Sequence, residues 1–207
     1  MRTSRLEAFS DGVFAVAITL LFFNLKVPDL SNGNLGHALA NQWPSYLAFV
    51  ISFFTIGVCW VNHNSIFDRV SVADRALLFT NLGLLLGIVC IPFTTSLAAT
   101  WYNQKSNAKL AIAIYCANWV LVSLFFMLIL GHLYTHEHLA ERSKGVTIKS
   151  LLSKGYIGLT AYIVATLMAL ISPVVAYLIC AFLIVFFVFG VHQEELVIKE
   201  VQEEHNL

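Results

Sequence analysis

Charged residues are scarce in this 207-residue chain, and their scarcity excludes most soluble architectures. Lys, Arg, Asp and Glu together make up 12% of the residues, against roughly 25% in an ordinary soluble domain, whereas 58% are hydrophobic. The 12 basic residues equal the 12 acidic residues in number and are scattered singly between hydrophobic runs. Because no basic face is available for a phosphate backbone, we expect no nucleic-acid partner.

Catalytic and redox motifs are also absent from the sequence. The four cysteines lie inside apolar runs and form no C-x-x-C pair, so we interpret them as small buried hydrophobes. There is no G-x-S-x-G, Walker or H-E-x-x-H pattern. His132, His136 and His138 lie close together, but the dipole at the end of a helix already favours histidine there. We therefore predict no metal, no cofactor and no enzyme activity, and a membrane-embedded enzyme that uses these histidines is the weakest alternative.

Long apolar runs are what the chain has in abundance. A membrane-spanning helix needs roughly 20 apolar residues, and the length leaves room for little else. We predict an all-α integral membrane protein with six transmembrane helices in a single domain, residues 1–207. Pro92 lies inside the third run, where the loss of one backbone hydrogen bond predicts a kink. The six runs are residues 8–27, 43–67, 77–100, 108–134, 155–171 and 174–191.

The positions of the basic residues predict the orientation in the membrane, because basic loops are retained on the cytoplasmic side. With the N-terminus inside, the outer segments carry only Lys26, Lys105 and Lys109 of the 12 basic residues. Both termini should then be cytoplasmic, which agrees with an even number of spans. Glu7 and Asp11 interrupt the approach to the first run, so we expect a retained helix and not a signal peptide. These features predict a multi-pass protein of the cell membrane, the inner membrane of a bacterium.

Polar residues are concentrated at the beginning of the first run. Arg5, Glu7, Ser10 and Asp11 lie within about two helical turns, at the depth where burial in the membrane begins. A carboxylate at the edge of the hydrocarbon needs a partner, and either Arg5 or a group on a neighbouring helix could supply it. Ordinary anchoring at the membrane interface is the simpler interpretation.

A second polar group, His63 and Asn64, lies near the same end of the second run, at about the depth of Ser10 and Asp11. Contacts among these four side chains would satisfy polar groups that lipid cannot satisfy, and would fix how the two helices pack. The group is either a packing lock alone or a lock that also takes part in gating.

One motif is more specific than the others, because it combines charged, aromatic and hydroxyl residues at fixed spacing. Arg5-x-x-x-Phe9-Ser10-Asp11 opens the first run. The motif resembles R-x-x-x-F-S-D in prokaryotic members of the transmembrane protein 175 family, which are potassium channels known in animals from endosomes and lysosomes. The resemblance covers essentially the whole chain. Further positions similar to the family are Trp60, His63, Pro92, Phe93 and Thr95.

The resemblance implies a potassium-selective cation channel that lacks the T-V-G-Y-G filter of ordinary potassium channels. It also implies a homotetramer of six-helix units in a lipid bilayer, with the first helix of each copy lining the pore. The implied pore-lining and selectivity residues are Val16, Thr19, Leu20 and Phe23. The implied motif and gating network consists of Arg5, Phe9, Ser10, Asp11, Trp60, His63 and Asn64.

The implied pore residues fit a hydrophobic constriction. Val16, Thr19 and Phe23 follow the spacing i, i+3 and i+7, which places them on one helical face. A narrow apolar ring resists wetting, and an ion that crosses it loses part of its hydration shell, which costs less for potassium than for sodium. Val16 is smaller and Phe23 larger than the Leu or Ile usual in the family, so Phe23 is a candidate for the narrowest point. The permeant potassium ion is the only ligand expected.

A secondary transporter or proton-coupled carrier is the alternative function. In that case Asp11 and His63 would relay protons. Transporters usually show inverted repeats and helices broken at mid-membrane, and a chain of six spans with one internal proline gives little evidence of either.

Overall fold

The computed structural model describes residues 3–28, 34–139 and 148–188, and in those residues the protein is all-α. A 3-10 turn, Leu21–Asn24, continues the first helix, and a second one, Glu137–Leu139, follows the fifth. The α-helices in chain order are α1 Thr3–Leu20, α2 Leu35–Asn41, α3 Trp43–Phe67, α4 Arg75–Trp101, α5 Lys105–Thr135, α6 Ile148–Ala169 and α7 Pro173–Val188.

Five of the helical segments are long and apolar enough to cross a membrane. The prediction of a multi-pass membrane protein is therefore confirmed. α7 is apolar but shorter, and the predicted sixth run, 174–191, extends past the described residues, so the count of six spans stays a prediction. The five spans are Thr3–Asn24, Trp43–Phe67, Arg75–Trp101, Asn107–Thr135 and Ile148–Ala169.

Local sequence explains where the helices begin. α3 covers the predicted residues 43–67, and Pro44 stands in its first turn, where a proline costs no hydrogen bond. α4 starts two residues before the predicted 77 because the Asp74 side chain accepts the backbone N–H of Leu77 at 2.8 Å and caps the helix. α4 then continues through Pro92 to Trp101.

Two helical features were not predicted from the sequence. α2 follows the first loop, and Asn34 caps it by accepting the backbone N–H of His37 at 3.2 Å. α6 starts at Ile148, seven residues before the predicted 155, because Lys149, Ser150, Ser153 and Lys154 interrupt the apolar pattern of its first two turns. Residues 148–154, which lie between the fourth and fifth predicted runs, are thus helix, and residues 140–147 lie outside the described residues.

α5 occupies the centre of the core and packs most extensively against α4 and α6. Tyr115 and Trp119 of α5 are almost fully buried. Glycine on α4 allows the close approach of α5, since a Cβ at Gly87 would lie 2.8 Å from Cγ2 of Val122. Asn118 Nδ2 donates to the Gly87 carbonyl at 3.0 Å, so a buried amide also holds the two helices together.

α1 lies on one side of the bundle, against α3 and α4. The residues that it buries there recur every three or four positions, as one face of a helix does. They are Leu6, Ser10, Phe14 and Ala17, with Leu21 in the following turn. No other part of the described chain covers the opposite face of α1, and this face carries the predicted pore residues.

Candidate functional site

The predicted pore residues all lie on the exposed face of α1 and its 3-10 turn. Val16 is 56% exposed, Leu20 42% and Phe23 78%, and Thr19 is exposed as well. Apolar side chains on other spans are exposed to a similar extent, such as Phe79 and Phe93 of α4 at 72% and 68%, as expected where a span faces lipid or another copy of the chain. From residue 9 to residue 23 none of the exposed side chains on this face is charged, since Asp11 is half-buried against Trp60, and the one exposed hydroxyl belongs to Thr19.

Two motif residues continue this face toward the beginning of α1. Phe9 is 54% exposed and Arg5 is also exposed. Between Phe9 and Val16, a Cβ built on Gly12 would meet no atom within 4 Å, so the face is open there too. Arg5 and Phe9 therefore do not join the buried polar contacts described below.

The first span ends in a 3-10 turn and not in the continuous α-helix that the sequence predicted. The α-helix ends at Leu20, and a 3-10 turn carries the chain to Asn24, whereas the apolar run had predicted helix to residue 27. Asn24 Nδ2 donates to the Pro92 carbonyl at 2.8 Å, which attaches this turn to α4. Phe23 is thus held on a short, anchored turn and not on a continuing α-helix.

The Thr19 hydroxyl is directed back to its own helix. Its Oγ1 donates to the Val16 carbonyl at 2.9 Å, a common bond for threonine in an apolar helix. A hydroxyl has one proton to donate but two lone pairs that accept. The Thr19 oxygen therefore still has acceptor capacity toward a cation on the exposed face.

Asp11 is held by a neighbouring helix. Trp60 Nε1 of α3 donates to Asp11 Oδ1 at 2.8 Å. Of the two partners considered from the sequence, Arg5 or a group on a neighbouring helix, the structure supplies the second. This bond therefore links the start of α1 to α3.

A buried chain of hydrogen bonds joins three helices beneath the motif. His63 Nε2 of α3 lies 2.9 Å from Asn81 Oδ1 of α4, and Asn81 Nδ2 donates to Ser10 Oγ of α1 at 3.0 Å. Ser10 Oγ donates in turn to the Leu6 carbonyl at 2.9 Å. Ser10, His63 and Asn81 each have no exposed surface, so this network is fully enclosed by protein.

Asn81 is the member that sequence reasoning missed. Ser10 and His63 were expected to meet, and in the structure they are connected only through the Asn81 amide. The available signal was the single side-chain amide inside the apolar run 77–100, since an amide within a span often bonds to a neighbouring helix. Asn64, predicted as a further member, is half-buried, and its backbone carbonyl accepts the N–H of Asp68 at 2.9 Å.

The histidines at the end of α5 form a separate cluster. His132 Nε2 lies 2.8 Å from Asp74 Oδ2, the His132 and His136 rings are 4.4 Å apart, and His138 lies 6.0 Å from His136. The pKa of Asp74 is lowered, chiefly because the Leu77 N–H donates to its carboxylate and further because His132 contacts it. In residues 3–28, 34–139 and 148–188, no three His, Cys, Asp or Glu residues are arranged to hold a metal ion.

Comparison with known proteins decides the family. The profile described as the endosomal/lysosomal potassium channel TMEM175 matches residues 5–92, which include the motif and Asn81. A potassium channel of Chamaesiphon minutus is 35% identical over 189 residues, 89% of this chain and 93% of that protein. The chain belongs to the TMEM175 family. A potassium channel of Streptomyces collinus is 44% identical over 140 residues, 67% of this chain and 68% of that TMEM175 relative.

Solved structures agree with this assignment to TMEM175. The crystal structure of a lysosomal potassium-selective channel TMEM175 homolog from Chamaesiphon minutus matches with a TM-score of 0.82 and 34% identity, over 91% of this chain and 97% of that one. A variant of the potassium channel MtTMEM175 matches with a TM-score of 0.61 at 20% identity, which shows the shared fold alone. The predicted family resemblance is thus confirmed.

A vertebrate member of TMEM175 matches a smaller share of its own length. The endosomal/lysosomal proton channel TMEM175 of Gallus gallus is 34% identical over 142 residues, which are 64% of this chain but 28% of that protein. The two kinds of relative therefore differ in the ion that their descriptions name, potassium for the bacterial proteins and proton for the vertebrate one.

Proposed function

We propose that this protein is a potassium-selective cation channel whose pore is lined by α1. The observation that carries the proposal is the uncharged, exposed face of α1 from Phe9 to Phe23, which the rest of the bundle leaves open. The relatives that share most of their length with this chain are described as potassium channels. Both the exposed face and the relatives' activity are accounted for if this face is the lining of an ion pathway.

The pore requires several copies of the chain, because a single helix cannot enclose one. We infer a homotetramer in which each copy contributes one bundle and places α1 next to a central axis. α3 and α4 flank α1 from behind and would face the neighbouring copies on either side. Rings of identical side chains would then succeed one another along the axis.

Selectivity in this proposal comes from a hydrophobic constriction and not from backbone carbonyls. Val16, Leu20 and Phe23 supply apolar rings, and Thr19 supplies the one ring of hydroxyl oxygens between them. Phe23 is the most exposed of the four and has the largest side chain, so its ring is the narrowest in this arrangement. Partial dehydration at such rings costs less free energy for potassium than for sodium.

The motif residues act as the support of the pore helix and as part of the gate. The Asp11–Trp60 bond fixes the start of α1 on α3, and the Ser10–Asn81–His63 chain fixes α1 on both α3 and α4. Any rotation of α1 that opens or closes the lumen has to break or exchange these bonds. Arg5, Phe9 and Asn64 complete the motif network on the exposed side and at the end of α3.

The proposed orientation places both termini in the cytoplasm of a bacterium. Basic residues at the start of α1, between α3 and α4, and in α6 then all lie on the inner side, as basic segments retained in the cytoplasm do. The C-terminal ends of α3 and α5 lie at this side of the bundle, together with the N-terminal ends of α1 and α6. Each chain contributes one unit, and no cofactor other than the permeant potassium ion is required.

Purified protein in a planar bilayer tests the function. With potassium on one side and sodium on the other, we expect a reversal potential displaced toward the potassium equilibrium potential. Away from that potential, the ion flux should be far above the turnover rate of a carrier. The carrier alternative requires a proton relay between Asp11 and His63, yet Asp11 binds Trp60 and His63 binds Asn81. Potassium flux that stops without a proton gradient would support the carrier, and equal permeability to the two ions would overturn selectivity.

A further inference from the structure

A cavity separate from the pore face lies inside the bundle. It has a volume of about 470 Å³ and is lined by α3, α5, α6 and α7. Among the described residues, none of those that line it belongs to α1 or α4. The volume falls within the roughly 300–1,000 Å³ of sites that hold small ligands.

The lining is polar at one end and apolar along the rest. Ser65 of α3 and Lys154 of α6 lie at the end of the bundle where α3 finishes and α6 begins, and Asn62 lies one turn deeper. Deeper still, Trp119 and Tyr162 form a stacked aromatic wall with ring centroids 5.9 Å apart. A site with this asymmetry fits a molecule that has a polar head and an apolar chain.

A second cation stands beside the polar end. Arg69 has only 6% of its surface exposed, and one of its terminal guanidinium nitrogens donates to Ser65 Oγ at 2.8 Å and also to the Ser65 carbonyl. Its Nε has no hydrogen-bond partner in the described part of the chain. Lys154 in the lining and Arg69 beside it place two basic side chains at this end, and the described lining includes no acidic residue, which favours an anionic head group.

The cavity communicates with the surrounding lipid through α7. Phe182 and Val185 line it and are nevertheless 66% and 51% exposed, so the cavity wall continues onto the outer surface of the bundle. Lys154 is the last charged residue before the apolar run 155–171, which places its ammonium group at the membrane interface. A lipid could thus enter sideways without leaving the membrane.

We propose that an anionic phospholipid places one acyl chain in this cavity and its phosphate against Lys154. Basic pockets between spanning helices are the usual binding sites for anionic lipid head groups. The site does not depend on ion conduction, because it shares no residue with the proposed pore. A lipid bound here would hold α7 and α6 against α3.

Fluorescence quenching by brominated lipid tests the proposal, because Trp119 lines the cavity but is only 1% exposed. The full chain is reconstituted in phosphatidylcholine vesicles that contain a small fraction of phosphatidylglycerol brominated on its acyl chains. The Trp119 contribution is the difference between the protein and its Trp119→Phe variant. We expect brominated phosphatidylglycerol to quench this contribution more strongly than brominated phosphatidylcholine does at the same fraction.

Two charge variants and one filling variant complete the experiment. Lys154→Gln should weaken the apparent affinity for phosphatidylglycerol roughly fivefold, the effect of one basic residue at a membrane surface. Lys149→Gln, on the same helix but exposed and outside the cavity, should leave it unchanged. Val58→Phe should reduce quenching by filling part of the cavity, and it adds no tryptophan fluorescence.

Three outcomes overturn the proposal. Equal quenching by the two brominated phospholipids would remove the preference for negative charge. Quenching by a brominated fatty acid, without quenching by brominated phosphatidylglycerol, would identify a free amphiphile and not a phospholipid as the ligand. Absence of any Trp119 quenching, in protein that still melts cooperatively, would show that lipid does not enter.

Discussion

Trp60 Nε1 and Asp11 Oδ1 form a hydrogen bond of 2.8 Å that connects α3 to the first turns of α1. Asp11 belongs to the R-x-x-x-F-S-D motif and Trp60 to the predicted gating network; the two residues lie 49 positions apart, and only the packing of the two helices brings them together. The bond fixes the rotation of α1 about its own axis. It therefore determines which residues of α1 remain on the exposed face.

Replacing Trp60 with Phe removes the donor and leaves the Asp11 carboxylate without this bond. We expect a loss of about 1 kcal/mol in the free energy of unfolding, because the pair is partly exposed and the net value of such a bond is moderate. Channel opening should change while the reversal potential stays the same. Thermal melting in detergent and single-channel recording measure the two effects, and Trp43→Phe, at the far end of α3, is the matched control.

Asn81→Leu should lower the free energy of unfolding more than Trp60→Phe does. The change leaves both Ser10 and His63 buried without their amide partner, at about 1–3 kcal/mol for each unsatisfied group. Ser10→Ala should cost less, since it removes one hydroxyl and leaves the Asn81–His63 bond in place. Thr80→Val on the same helix is the control, and a melting temperature of Asn81→Leu equal to that of the control would refute the network.

The comparison of Asp11, His63 and Asn81 shows what the sequence could predict. The motif and the apolar runs were sufficient to predict the family, the bounds of α3 and the meeting of α1 with α3. The bridging role of Asn81 could not be predicted, because one sequence does not say which helices are neighbours. The early end of α1 at Leu20 was missed for a similar reason, since the Asn24–Pro92 bond that holds the following turn joins residues 68 positions apart.

Close packing of α4 on α5 predicts opposite effects for two glycine substitutions. Gly87→Ala places a Cβ 2.8 Å from Val122 Cγ2, and the required shift should cost about 1–3 kcal/mol. Gly131→Ala meets no atom within 4 Å and should stabilise α5 by up to about 1 kcal/mol, because alanine favours helix. Melting temperatures in one detergent compare the two variants. A stabilising Gly87→Ala would mean that α4 and α5 are further apart than described.

The lowered pKa of Asp74 predicts an acid-dependent contribution to stability. A carboxyl group whose pKa is lower in the folded state stabilises that state above the pKa of the unfolded chain, about 3.9, and the contribution is lost as the pH falls through the folded value. Asp74→Asn keeps an acceptor for the Leu77 N–H but removes the charge. The difference in melting temperature between protein and variant should therefore shrink below about pH 4. A difference in melting temperature that stays constant between about pH 6 and about pH 3 would contradict the assignment.

Phe23→Ala should raise the conductance or weaken the preference for potassium over sodium. The substitution widens the ring that we propose to be narrowest, so a permeating ion keeps more of its hydration shell. Phe79→Ala is the matched control, because Phe79 is 72% exposed but lies on α4. If the two variants conduct alike, Phe23 does not form the constriction.

Cysteine accessibility tests the central claim, that α1 lines the pore, most directly. In a background with Cys59, Cys90, Cys116 and Cys180 replaced, a cysteine is placed at Thr19, at the buried Ala17, or at the exposed Leu86 of α4, and currents are recorded while a water-soluble thiol reagent is applied. The account predicts block for the cysteine at Thr19 alone. Unchanged current at Thr19, or equal block at all three positions, would contradict it.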